Sequence, residues 1–328
     1  MRLPKRYLEL DLLNLPYSLT LDETGKPITW GSTFDFVPHG YLATELFALG
    51  NGDSCGFYWP IGKEDAEPIL GEIYHDNGVI VPIASNLEGL AKIKKLMGFA
   101  DDEGAEEEIA EKLGVTLPNQ YAEESIPATL CLEQDRNSPS SLVNAGKAAL
   151  KNGDLVSAEQ YLLHAIDVLP EYTEAHFYLA LLYRRNPANS LKAAEAMLAT
   201  ITSPLVFLTD GSREQTLQWL QHLHDEDYPQ LATDPIWSNR GTLSFERNAK
   251  QNNDFAIYEE AIATYLNSGQ GVKAIRLREL VWELMLRETS AFRERYGYLG
   301  KKHNELLTDN LKRAGLHIRI GAARPLWN

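Results

Sequence analysis

Short apolar runs separated by turn residues dominate the first hundred positions. "CGFYW" (55–59), "PILGEIY" (68–74) and "VIVPIA" (79–84) are rich in β-branched and aromatic residues and read as strands. The last two flank "HDNG", in which Asn77-Gly78 is the strongest short hairpin signal available. Pro82 has no amide proton to give to a neighbour, which implies an edge position or a strand end. Ser85 then opens "SNLEGLAKIKKLMG" as the first half of a capping box with Glu88. Lys92, Lys94 and Lys95 suit the negative end of that helix, and Gly98 closes it. Upstream, "HGYLATELFAL" (39–49) lies between Pro38 and Gly50, and its apolar stripe predicts a helix. The glycine-rich "GNGDSCGFYWP" (50–60) then becomes a turn leading into a strand. A phosphate loop would follow a strand and carry a lysine, which this stretch lacks. Gly50, Gly52 and Asp53 are therefore assigned to scaffold.

Beyond residue 140 the period changes to that of amphipathic helices. "SLVNAGKAALKNGDLVSAEQYLLHAIDVLP" (141–170) places small residues at Gly146, Ala158 and Ala165, with Gly153 and Asp154 as a helix stop and a cap. Ala180 follows Gly146, and Tyr183 follows Ala149, by 34 positions in each case. These steps resemble a tetratricopeptide repeat, in which small residues let antiparallel helices approach closely. "AIYEEAIATYLNSGQGVKAIRLRELVWELM" (256–285) again reads as two helices around a glycine turn. In the first half, "ATELFALGNGDSCGFYWP" with "PILGEIYHDNGVIVPIASNLEGLAKI" resembles the SUKH superfamily of bacterial immunity proteins and fungal cell-wall regulators. That resemblance implies a small α+β domain, with a mixed or antiparallel sheet and flanking helices, that acts by binding a toxin. The expected division is a SUKH-like α+β domain over 1–98, an acidic helix and connector over 99–139, and an all-α tetratricopeptide-like helical domain over 140–328.

Charge sharpens this division. Residues 1–136 hold 10 Lys/Arg against 24 Asp/Glu, a net of −14, whereas residues 137–328 hold 21 against 22. An acidic half repels nucleic-acid phosphates and attracts basic proteins. The 44% hydrophobic content is enough to bury a core, which argues against wholesale disorder. No apolar run approaches the roughly 18 residues a membrane helix needs. The first residues lack the apolar core of a secretory signal, and two cysteines without C-x-x-C spacing support neither a disulfide framework nor a zinc ribbon. A cytoplasmic location is the expectation.

Candidate chemistry is sparse. His222 and His224 stand two apart, so on a helix they point about 200° away from each other and do not chelate one ion. "NSGQGVKA" (267–274) lacks the strand and the Lys-Ser/Thr pair of a phosphate loop. No nucleophile elbow or partnered cysteine occurs, so no catalytic, cofactor-binding or metal residue is assigned and no enzyme is expected. Two charged clusters remain as partner-binding candidates. Asp101, Asp102, Glu103, Glu106, Glu107 and Glu108, with Glu111, face a cationic partner or simply form a solvated helix turn. Lys147, Lys151, Arg184 and Arg185 fall on first helices of successive repeats, where peptide grooves form, or are ordinary surface cations. The leading expectation is an immunity protein that neutralises a basic toxin by direct contact, with no nucleic acid, membrane or cofactor involved. The alternative is a scaffold whose helical domain binds a peptide or protein. The sequence leaves the oligomeric state open.

Overall fold

The computed structural model describes residues 4–9, 41–43, 53–74, 78–98, 105–121, 126–208, 212–244, 254–286 and 300–322. Its first unit is built on a four-stranded antiparallel sheet of order β1-β2-β3-β4, with β1 at Tyr41–Ala43, β2 at Ser54–Tyr58, β3 at Ile69–Ile73 and β4 at Ile80–Ala84. Strand β4 carries Pro82 and pairs with β3 alone, so the proline sits at an edge where no partner requires its missing proton. The hairpin forms as expected, with Gly78 at φ 71° and its amide bonded to the Tyr74 carbonyl at 2.8 Å. The helix expected over 39–49 is corrected at its start. Residues 41–43 are extended and pair Tyr41 with Tyr58, Leu42 with Phe57 and Ala43 with Gly56. Ladder bonds to β2 outweigh a local helical stripe that is only two apolar residues wide there. The remainder of that stretch, with Gly50 and Gly52, lies outside the described residues.

Helices cover the sheet. Helix α1 (Lys5–Glu9) contributes Tyr7, whose ring stacks on Phe57 at 5.9 Å and whose hydroxyl accepts the Leu87 amide at 3.1 Å. Helix α2 (Leu87–Met97) buries Leu87, Leu90, Ala91 and Ile93 against Phe57, Trp59, Leu70 and Ile83. Its cap is Asn86, whose side chain accepts the Gly89 amide at 2.8 Å, and not Ser85. Ser85 is drawn instead to Asp135, giving it the backbone amide at 2.6 Å and the hydroxyl at 2.8 Å. Gly98 ends α2 at φ 66°, as expected.

Helix α3 (Ala105–Leu113) packs on α2, and α4 (Ala128–Gln134) leads to the antiparallel pair α5 (Pro139–Asn152) and α6 (Leu155–Val168). A methyl group at Gly146 would lie 2.8 Å from Leu162 Cγ, so this glycine is what lets the two helices close. Ser138 caps α5 and donates its hydroxyl to the Ile83 carbonyl at 2.5 Å, fixing the pair to the sheet rim. The described residues accordingly divide after Pro170, and α5 and α6 belong with the sheet. The change of period places the boundary at 139/140 instead, because period reports helix content and is blind to these tertiary bonds.

The second unit is helical. It contains α7 (Thr173–Tyr183), α8 (Ser190–Thr202), α9 (Ser212–Gln221), the short α10 (Pro235–Asn239), α11 (Asp254–Asn267), α12 (Gly271–Leu286) and α13 (Gly300–Arg313). Helices α7 and α8 pack as a pair, as do α11 and α12 across the turn that holds Gly269 at φ 75°. Buried arginines tie it together. Arg278 clasps Glu259 on α11 and donates to Asn310 on α13 at 2.9 Å. Arg240 donates to the Leu220 and Leu223 carbonyls at 2.9 and 2.7 Å, satisfying the open end of α9. An α+β unit followed by a helical unit is therefore the observed class. No described helix is long and apolar enough to cross a membrane.

Candidate functional site

The acidic cluster is largely committed to its own unit. Glu106 is only 7% exposed, so this part of the expected capture face is interior. Glu107 pairs with Lys95 on α2, and this contact holds its carboxyl below the usual range. Glu108 pairs with Lys112 at 3.2 Å, one turn along α3. Asp101, Asp102 and Glu103 lie outside the described residues.

Lys94, expected to serve the helix dipole, is buried and paired with Glu72 instead. Glu72 stands opposite Cys55 in the register of β2 and β3, on the face that α2 covers. Burial first, and then the Glu72 charge, raise the Tyr74 hydroxyl above its ordinary pKa, with Lys94 opposing and Asp53 adding to the effect. This interior group of Asp53, Glu72, Tyr74 and Lys94 carries no local signal in the sequence.

The four cations fall in different units. Lys147 and Lys151 lie on α5, the first half-buried and the second exposed. Arg184 and Arg185 follow α7 in the helical unit, and both are exposed. Arg184 lies 3.7 Å over the Trp219 ring of α9, which also stacks on Phe177 at 6.0 Å and 7°. Burial against that ring lowers the guanidinium below its ordinary value. Arg184 makes no ion pair with any described residue.

Beside Arg184 opens a groove of about 460 Å³ whose floor includes Tyr183, Met197, Trp219, Leu223 and Tyr228, with His222 at its edge. No carboxylate lines it among the described residues, in a chain of net charge −15. Three packed helices make it. Helix α7 ends at Tyr183, the Pro187–Asn189 turn redirects the chain, and α9 crosses with its indole. Trp219 is the residue that sequence reading missed, since its partner Arg184 lies on another helix and leaves no periodic mark. The groove thus offers a guanidinium to an anion beside an aromatic surface for an apolar group.

Among the described residues no group of three or more His, Cys, Asp or Glu side chains is placed to hold a metal ion. His222 turns its Nδ1 to the Gln218 carbonyl at 2.6 Å.

Two families match parts of the chain. Residues 29–106 are similar to the family described as the YfbP N-terminal domain, and residues 248–310 to that described as the YfbP C-terminal domain. The "Uncharacterized protein YfbP" of Escherichia coli (strain K12) is 28% identical over 269 residues, 80% of this chain and 84% of that protein. No solved structure matches.

Proposed function

We propose that this chain is a non-enzymatic binding protein whose helical unit takes an acidic peptide segment bearing an aromatic or aliphatic anchor. The observation that carries this reading is Arg184 lying on Trp219 at the mouth of an apolar groove that holds no described carboxylate. The anchor displaces water from Tyr183, Met197 and Leu223, and a neighbouring carboxylate meets the guanidinium. The packing of α7 on α8 supports this reading, as the pair that a tetratricopeptide-like repeat would contribute. A second reading, toxin neutralisation by a SUKH-like first unit, is favoured by the net charge of −14 over residues 1–136. Direct contact with a basic toxin is its mechanism, in the cytoplasm and without a cofactor.

One experiment separates them. Immobilised full-length protein is offered two synthetic peptide libraries, one pairing Asp/Glu with Phe/Leu and the other pairing Lys/Arg with the same anchors. The groove reading expects retention of the acidic library, with affinity falling about tenfold or more in Arg184→Glu, as for loss of one charge-assisted contact. Retention of the basic library, lost when Glu107 and Glu108 become Lys and unchanged in Arg184→Glu, overturns it in favour of the first unit. Equal retention by wild type and Arg184→Glu removes the groove altogether.

A further inference from the structure

A second cavity in the helical unit, of about 640 Å³, is bordered by α8, α10, α11 and α12. Its size is that of a small-molecule site. It shares no lining residue with the Arg184 groove, so a ligand here stands or falls independently of a peptide there.

The floor of the cavity is fixed. Asp234 caps α10 by accepting the Ile236 and Trp237 amides at 2.9 and 3.0 Å. The same carboxylate accepts the Tyr265 hydroxyl at 3.0 Å and pairs with Lys273, whose ammonium lies 4.3 Å from the Tyr265 ring centre. Four donors occupy this one carboxylate. Asp234 and Lys273 therefore neutralise each other and hold three helices in place.

Two charges on the walls are less fully engaged. Glu195 projects from α8, is exposed, and pairs with no cation among the described residues. Arg276 projects from α12, one turn beyond Lys273. Its ion pair, with Glu171, is long at 3.9 Å, and its Nε makes no hydrogen bond. Glu195 and Arg276 line one cavity without reaching each other, although they carry opposite charges. Thr202, Ser268, Gln230 and Gln270 add hydroxyl and amide groups around them. Thr202, Ser268 and Gln270 already donate to the Leu198 carbonyl, the Thr264 carbonyl and the Ser268 hydroxyl, so it is Glu195 and Arg276 from which an apolar ligand would strip water and return nothing. A simple anion would meet Glu195, and a simple cation would meet Arg276.

The geometry points to this cavity as a binding site for a small zwitterion, with its ammonium on Glu195 and its carboxylate on Arg276, the chemistry of a free amino acid or a short peptide. Separated unlike charges reject molecules carrying only one of the two groups, because the other wall charge is then desolvated without a partner.

Thermal-shift and calorimetric titrations of the full chain test this assignment. The probes are the twenty free amino acids taken singly, dialanine and trialanine, each repeated with the amine acetylated or the carboxylate amidated. The expected result is a melting rise with at least one free probe, abolished by either blocking group. Glu195→Gln, at an exposed position, weakens that binding about tenfold or more, and Arg276→Gln does the same while Arg276→Lys retains part of it. Binding by single amino acids but not by dialanine or trialanine identifies the first source, and the reverse identifies the second. Absence of any shift at millimolar concentrations overturns the proposal. Binding that survives both blocking groups, or is unchanged in Glu195→Gln, overturns it equally.

Discussion

Replacing Lys94 by Met leaves the Glu72 carboxylate inside the sheet unit with its cation removed. The two side chains are 0% and 2% exposed, so solvent does not substitute for the lost partner. Breaking a buried pair from one side costs about 3–5 kcal/mol. At about 1.4 kcal/mol per tenfold, this raises the opening equilibrium of the unit more than a hundredfold. The readout is amide hydrogen exchange at Gly71–Ile73, which reports the sheet without involving the helical unit. Removing both charges together, in Glu72→Leu with Lys94→Met, should recover most of the loss, because neither charge then has to be desolvated. Exchange in the single variant within about threefold of wild type would refute this reasoning, since it implies well under 1 kcal/mol. A double variant as unstable as the single would do so too.

Two further outcomes concern the caps. Asn86→Ala should destabilise the sheet unit by about 1 kcal/mol through loss of the Gly89 bond, as seen by local exchange in α2, and equal protection of that helix in wild type and variant would count against it. Asp154 caps α6, and hydrogen bonds from Ser157 hold its carboxyl below the ordinary value; a carboxylate depressed on folding contributes stability above its unfolded pKa of about 3.9 and loses it as pH falls through the folded value. Protection of α6 should therefore weaken below about pH 4 in wild type but show no such dependence in Asp154→Asn, by exchange measured across that range.

The sequence made legible what is decided locally. Asn77-Gly78 specifies its hairpin within four residues, and Gly98, Gly153 and Asp154 end or begin helices through their own backbone and side chains. Ser85 and Asn86 are both good cap formers, and the choice between them is made by Asp135, fifty positions away. Tyr41 and Leu42 fit a helical stripe as well as a strand, and Phe57 and Tyr58 decide between the two by pairing. Lys94 reads as a cation at a helix end until Glu72 is brought across from β3. In the helical unit Arg184 was legible as a candidate, but Trp219 was not. The separated pair of Glu195 and Arg276 could not be seen at all, because the two residues come from helices that meet only through tertiary packing.

The bonds from Ser85 to Asp135 and from Ser138 to Ile83 bear on how such a chain can be inherited in pieces. A recombination crossover near residue 140 parts α5 from its cap Ser138, which holds the Ile83 carbonyl, and from the strand it rests on. The stretch from 99 to 139 is then no neutral spacer between exchangeable parts, despite its polar composition. A crossover after Pro170 keeps the cap, the strand and both helices of the pair within one parental segment. The portable cassette is thus the sheet together with its first helical hairpin, and lineages gaining or losing helical pairs would do so downstream of that point.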